Sequence, residues 1–278
     1  MINMRIAIQG FEGCFHQVAA RNFFGKQSGI VPCASFSELV KQVKSGADAD
    51  AGIMAIENSI AGSILPNYSL LKNSNLHVVG ELYLQINQHL MVLPGQQLED
   101  IREVHSHPMA LLQCIDFLEQ HPHIKLVETE DTALSAKNVR SKKLKSTAAI
   151  AGKLAAEIFE LDIIAPNIHT VKNNYTRFLA ISKQAPEPDP GVNKASVYFE
   201  TSHETGSLVK VLAQIAKEGI NLSKIQSFPI PAKVWQYYFH ADMEFTDLAH
   251  FEKALKKITP HTEHLKVLGV YKKGKTHA

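Results

Sequence analysis

The sequence predicts an α/β protein built in two parts, and three observations predict it. Short apolar runs alternate with amphipathic segments through roughly the first 180 residues, the pattern of a largely parallel sheet with crossover helices. Lys183-Gln184-Ala185-Pro186-Glu187-Pro188-Asp189-Pro190-Gly191 then sets three prolines at alternate positions with almost no apolar residue, a stiff stretch that cannot join a core. The remainder reads strand, helix, strand, strand, helix, strand, the ferredoxin-like order. The boundaries are therefore 1–183 for the first domain, 184–193 for a linker and 194–278 for the second, which suits 278 residues at about 150 per domain.

Along the chain, Arg5–Ile8 is a short apolar strand ending at Gly10, and Cys14–Phe24 a short helix. Ala51–Ile56 is an apolar run stopped by Glu57-Asn58, and Leu82–Leu93 is strand-like up to Pro94-Gly95. Ser106-His107-Pro108 opens a helix expected to carry Leu111, Leu112, Ile115 and Leu118 on one face, because a cap followed by proline is a helix start. Thr147–Phe159 reads as an Ala-rich helix and Tyr175–Ile181 as a strand. In the second domain Lys194–Glu200, Ile220–Ser227, Trp235–Phe245 and Leu265–Tyr271 read as strands. Ser207–Glu218 is a helix closed by Gly219, and Thr246-Asp247 caps another through Lys257.

Composition narrows the function classes. Hydrophobic content of 45 % and charged content of 20 % describe a folded chain. A net charge of +2 leaves no basic stripe for nucleic acid. No run approaches the 18 apolar residues of a membrane span, and the N-terminal apolar run is too short for a signal peptide. Cys14, Cys33 and Cys114, an odd set without a C-x-x-C pair, read as reduced thiols in a cytoplasm. Only five of 29 cations are arginine, and only arginine offers a planar fork to a carboxylate.

Three loops share one plan of strand, sharp turn and helix start: Gly10–Gly13, Glu57–Ser63 and Ser106-His107-Pro108. If they converge, they make a pocket for a small oxygen-rich anion; taken singly, each reads as an ordinary turn or cap. Asn58 and Ser59 orient a ligand or cap a helix. Arg177, inside an apolar strand, meets either a ligand carboxylate or a structural one, since a buried guanidinium is costly unpaired. Thr176 and Arg177 face opposite sides of a regular strand, so both serve one ligand only if the strand is irregular or the site wraps its end. The pairs His105-x-His107 and His121-x-His123 lack a third metal ligand. His261, His264 and the runs Arg140–Lys145 and Lys272–Lys275 read as solvated surface.

Together these segments resemble the prephenate dehydratases. The carrying motifs are Gln9–Phe15, Ile56–Ser63, Ser106–Cys114, Asn174–Phe178, Gly206–Val209 and Gly219–Ile225, and the match runs from about Arg5 to Tyr271. The resemblance implies a two-lobed, periplasmic-binding-protein-like catalytic domain that the chain crosses twice, followed by a C-terminal ferredoxin-like ACT domain. It implies conversion of prephenate to phenylpyruvate with no metal or organic cofactor. Thr176 would bond the departing hydroxyl and Arg177 would hold the pyruvyl carboxylate. Asn58 and Ser59 would complete the catalytic set, with Glu57, Gly62, Ser106, His107, Asn174 and Phe178 around the substrate, Phe178 mainly packing. Phenylalanine would bind Gly206, Ser207, Leu208, Asn221, Leu222, Gln226, Ser227 and Phe228 between subunits of a homodimer or homotetramer.

The sequence departs from the family pattern at His16, which could titrate near neutral pH, at Met109, and at Gln226-Ser227-Phe228-Pro229, where the family has Glu-Ser-Arg-Pro. The last change bears on effector affinity. Arogenate dehydratase, and a non-catalytic sensor fused to an amino-acid-binding module, are the competing readings. No chorismate mutase segment is expected before residue 5.

Overall fold

The computed structural model describes residues 4–187, 189–231 and 233–277. Pro188 of the expected linker and residues 1–3 lie outside them. The first half of the chain forms β1 (Arg5–Gln9), α1 (Phe15–Phe24), β2 (Gly29–Cys33), α2 (Phe36–Ser45), β3 (Ala51–Asn58), β4 (Gly62–Ser63), α3 (Leu65–Ser74) and β5 (His77–Gln85). Next come β6 (His89–Val92), β7 (Glu103–Ser106), α4 (Pro108–Gln113), α5 (Ile115–Glu119), β8 (Lys125–Glu128), α6 (Thr132–Ser141), β9 (Thr147–Ala151), α7 (Lys153–Phe159), β10 (Asp162–Ala165) and β11 (Tyr175–Ser182). The last part holds β12 (Lys194–Glu200), α8 (Ser207–Lys217), β13 (Asn221–Pro229), β14 (Tyr237–Glu244), α9 (Leu248–Ile258), β15 (Glu263–Tyr271) and β16 (Thr276–His277).

These strands make three sheets, ordered β16-β5-β11-β3-β1-β2 with β4 on β3, then β10-β6-β9-β7-β8, then β13-β14-β12-β15. β1 is an internal strand of the first sheet: Ile6, Ala7 and Ile8 are fully buried, with β2 and β3 parallel on either side. Helix starts obey capping chemistry: Ser35 accepts from the Glu38 N–H before α2, Asp131 from Leu134 before α6, and Asp247 from His250 before α9. The chain passes from the first sheet to the second at residues 86–88 and returns at 166–174. The two passages are bonded to each other, Ile86 N–H to Asn174 O at 2.8 Å and Ile168 N–H to Gln88 O at 2.9 Å.

Three sequence expectations are corrected. Leu82–Leu93 is not one strand but the end of β5 and all of β6, in different sheets. The apolar run continues through Ile86, and periodicity does not register a change of sheet. Thr147–Phe159 is not one helix: Thr147–Ala151 is the fully buried strand β9, and only Lys153–Phe159 is helical. Burial on both faces outweighs the helical preference of alanine. The helix after His107 breaks at Cys114 into α4 and α5, so Leu112 is exposed while Leu111 and Leu118 are buried.

Among the described residues of 184–193 there is no helix or strand. The third sheet nonetheless sits tightly on the first. A Cβ added at Gly269 of β15 would lie 1.9 Å from Val78 O, and one at Gly274 would lie 2.4 Å from Glu81 O. β16 pairs in parallel with β5, and Tyr83 N–H donates to Lys275 O at 3.1 Å. The backbone of Lys272–Lys275 is therefore recruited to the interface although its lysines are exposed.

Candidate active site

The ends of β3 and β11 build the site. They are antiparallel with Thr176 opposite Asn58 and Arg177 opposite Glu57, and directly opposed side chains share a face. The ladder does contain an irregularity, a shift after Arg177 that leaves Ile56 as the extra residue. It falls on β3, so Thr176 and Arg177 still point to opposite faces.

On one face, Asn58 Oδ1 accepts from the N–H groups of Ile60 at 3.0 Å and Ala61 at 2.9 Å. That fixes the amide, and its Nδ2 donates to Asn174 Oδ1 at 2.7 Å and Thr176 Oγ1 at 3.0 Å. Because Thr176 accepts this bond, its own hydroxyl hydrogen stays free to donate. Ser59 Oγ accepts from Tyr175 N–H at 2.9 Å and donates to Asn173 O at 3.3 Å, tying the start of β11 down. Asn174 is fully buried and its Nδ2 has no partner. Gly62, at φ +81°, lets the β3–β4 turn close. Phe178 is buried and packs edge-on to His16 with centroids 5.0 Å apart. His16 accepts from Ala55 N–H, and burial pushes its pKa down to about 4, so it is neutral at pH 7 and the expectation of near-neutral titration is corrected.

The opposite face overturns the expectation that Arg177 holds substrate. Arg177 is 5 % exposed, and its Nε donates to Glu81 Oε2 at 2.7 Å. Its other nitrogens meet Asp242 of β14 and the Tyr271 hydroxyl at 3.3 Å. Lys194 Nζ reaches Glu81 Oε1 at 2.9 Å, and Ser196 Oγ donates to Asp242 Oδ1 at 2.5 Å. Burial opposes the Arg177 charge, but Asp242, Tyr271 and Glu81 more than offset it and hold its pKa well above the usual range. Burial likewise opposes the Asp242 carboxylate, and Arg177 with His240 holds it well below the usual range. The physical reason is alternation: one residue along β11 turns the side chain from the cleft to the interface. Glu57 goes the same way, to Lys224 of β13, which also donates to Ser63 Oγ at 2.6 Å.

Ser106 is a third correction. It is fully buried and its hydroxyl donates to Ile150 O at 2.6 Å, stitching β7 to β9. His107 caps α4 by accepting from Met109 N–H at 3.2 Å, and it does line a cleft cavity of about 190 Å³ with Gln9, Gln88, Gln113 and Asp131. The first and third glycine- or proline-marked loops thus converge, while the second lies at the β11 end. Asp131 and Gln113 were not singled out from sequence. Asp131 reads only as a cap, yet burial raises its carboxyl pKa. Among the described residues, no cluster of three His, Cys, Asp or Glu side chains is placed to hold a metal.

The expected effector residues fall into separate groups. Gly206 opens α8 at φ +83°, and Ser207 and Leu208 line a cavity of about 350 Å³. Asn221 and Leu222 come after the other end of α8, about 15 Å away along the helix axis. Gln226 Nε2 donates to Ser227 O. Phe228 is corrected as an effector contact: it is buried against Tyr68 and stacked on Tyr238 with centroids 5.0 Å apart. An aromatic ring at this position fills the interface between the sheets.

Comparison with known proteins gives the family. The family model described as prephenate dehydratase matches residues 6–186. A bifunctional chorismate mutase/prephenate dehydratase of Aquifex aeolicus is 35 % identical over 97 % of this chain and 74 % of its own length. The structure of GqqA, described as a novel type of quorum-quenching acylase, superposes with a TM-score of 0.87 at 30 % identity, covering 97 % of this chain and 98 % of that one. Prephenate dehydratase of Arthrobacter aurescens in complex with L-Phe superposes with a TM-score of 0.85 at 26 % identity, over 97 % and 90 %. With the family model covering most of the chain and a relative of this identity over nearly all of it, the chain belongs to the prephenate dehydratase family.

Proposed function

We propose that this chain converts the prephenate dianion to phenylpyruvate, carbon dioxide and hydroxide, the last taken up by a proton as water. The electron pair of the bond to the departing carboxylate enters the ring as the ring hydroxyl leaves with its own pair. Aromatisation drives the step, and hydroxide is the poor leaving group. The observation that carries the reading is Thr176, whose hydroxyl is oriented by Asn58 so that its hydrogen is left to donate. A threonine hydroxyl is a very weak acid, so its contribution is a positioned hydrogen bond to the departing oxygen, with the net proton coming from solvent.

The two α/β halves bridged by paired passages support a two-lobed, binding-protein-like catalytic domain. The βαββαβ unit with strand order β13-β14-β12-β15 supports an ACT-type module. β13 is an edge strand, with Ile225 and, on α8, Val209 exposed. Self-association along this edge into a homodimer or homotetramer would bring Gly206–Leu208 of one subunit toward Asn221-Leu222 of another, a phenylalanine site between subunits. Three buried free thiols support a cytoplasmic setting. Acyl transfer, the chemistry for which GqqA is described, needs a nucleophile beside a base. Here burial pushes the Cys14 thiol up to about 12 and the Ser106 hydroxyl is committed to Ile150, which favours the lyase.

The test is phenylpyruvate formation from prephenate, followed by ultraviolet absorbance with and without millimolar phenylalanine, with arogenate run in parallel. Turnover that falls with phenylalanine is expected. Inertness toward both acids would leave the sensor reading.

A further inference from the structure

With Arg177 committed to the interface, the substrate's two carboxylates need other partners, and any assignment of those partners rests on the dehydratase reading. A cavity of about 440 Å³ lies against Leu84, the residue directly opposite Thr176 in the β5–β11 ladder. That size is ordinary for a small-molecule site. Phe15, Val18, Leu84 and Leu154 give it an apolar wall. Its ionised lining is Arg21, Lys26, Lys153 and Glu157, so 3 − 1 = +2 against a dianion. His89 also lines it, and burial lowers its pKa, so it adds no charge near pH 7.

Arg21 is the informative member. Its Nε is buried and has no hydrogen-bond partner. An orphaned guanidinium N–H is unusual, because buried donors are nearly always paired and a missing partner is costly. Lys153 lines the same cavity from the other half: α1, which carries Arg21, follows β1 of the first sheet, and α7, which carries Lys153, follows β9 of the second. Lys153 has only a loose partner, Glu157 at 3.7 Å, and the two side chains are 72 % and 57 % exposed. Such a pair exchanges readily for a carboxylate ligand.

We propose that Arg21 and Lys153 hold the two carboxylates of the substrate, one from each half of the catalytic domain, with the ring against Phe15 and Leu84 and its hydroxyl toward Thr176. A dianion held in this way bridges the two halves and draws them together.

Steady-state kinetics with prephenate tests this on the full chain. Arg21→Gln and Lys153→Gln are each expected to raise KM about 10- to 100-fold, the range of one charge-assisted bond, with kcat changed far less. Arg21→Lys should recover part of the loss, and the parent's KM should rise with ionic strength more steeply than that of the double variant. A KM within about twofold of the parent in both single variants overturns the inference. Should Arg21→Gln not fold, Lys153→Gln decides, its side chain being exposed. Absence of prephenate turnover in the parent overturns the dehydratase reading itself; turnover with unmoved KM in the variants overturns this inference alone.

Discussion

Thr176 and Arg177 are neighbours in the chain and opposites in the fold. On the cleft face the polar groups are neutral amides and hydroxyls, and one hydroxyl hydrogen is left without a partner inside the protein. On the other face the groups are ionised, and Arg177, Glu81, Lys194 and Asp242 are all within a few per cent of complete burial and bonded to one another. A site for chemistry keeps a donor in reserve, whereas an interface that holds two units together uses its donors up. A run of adjacent polar residues in a strand is therefore two motifs, one per face, and each must be assigned separately.

The two faces should separate most widely at Thr176. Thr176→Val removes the hydroxyl at nearly constant volume and is expected to lower kcat about 10²- to 10³-fold, while costing only about 1 kcal/mol of stability for the lost Asn58 bond. A variant that loses several kcal/mol of stability along with its activity would merge the two faces. Arg177→Gln is next. It strands Glu81 and Asp242 without their guanidinium and should cost about 3–5 kcal/mol in urea unfolding, the range for breaking a buried pair from one side.

The faces also differ in their response to pH. His16, near 6.5 unfolded and about 4 folded, binds its proton more readily in the unfolded chain. Stability should therefore fall as pH drops from about 6.5 to 4, by at most about 3 kcal/mol, and His16→Gln should flatten that slope in thermal melts. The depressed Asp242 carboxyl adds its own loss only on further acidification, below its unfolded value of about 3.9. The smallest effect is expected at the half-buried Lys224–Glu57 pair, where Lys224→Met should cost about 1 kcal/mol.

Much of the cleft face of β11, the proposed site of chemistry, was legible in the sequence. Asn58 and Thr176 stand out as polar residues at the ends of apolar runs, and the structure joins them directly. The start of α8 at Ser207 was legible, and so was irregular chain in the described residues of 184–193. Asp131 and Gln113 were not, because a cap residue and a glutamine in a helix carry no local mark of a cleft. Thr147–Ala151 misled for the same reason, since alanines leave the choice between strand and helix to their neighbours in space.

Local sequence was enough to set the alternation of elements, the irregular stretch that follows β11 and the family, because these depend on propensity, proline chemistry and the order of motifs. It also posed the question of Arg177 correctly, as a cation that must meet a carboxylate. Tertiary structure alone showed that the carboxylates are Glu81 and Asp242, 96 and 65 residues away in the chain. Which face of β11 looks into the cleft depends on what packs against each side, and long-range packing is a property of the folded chain that no local pattern encodes.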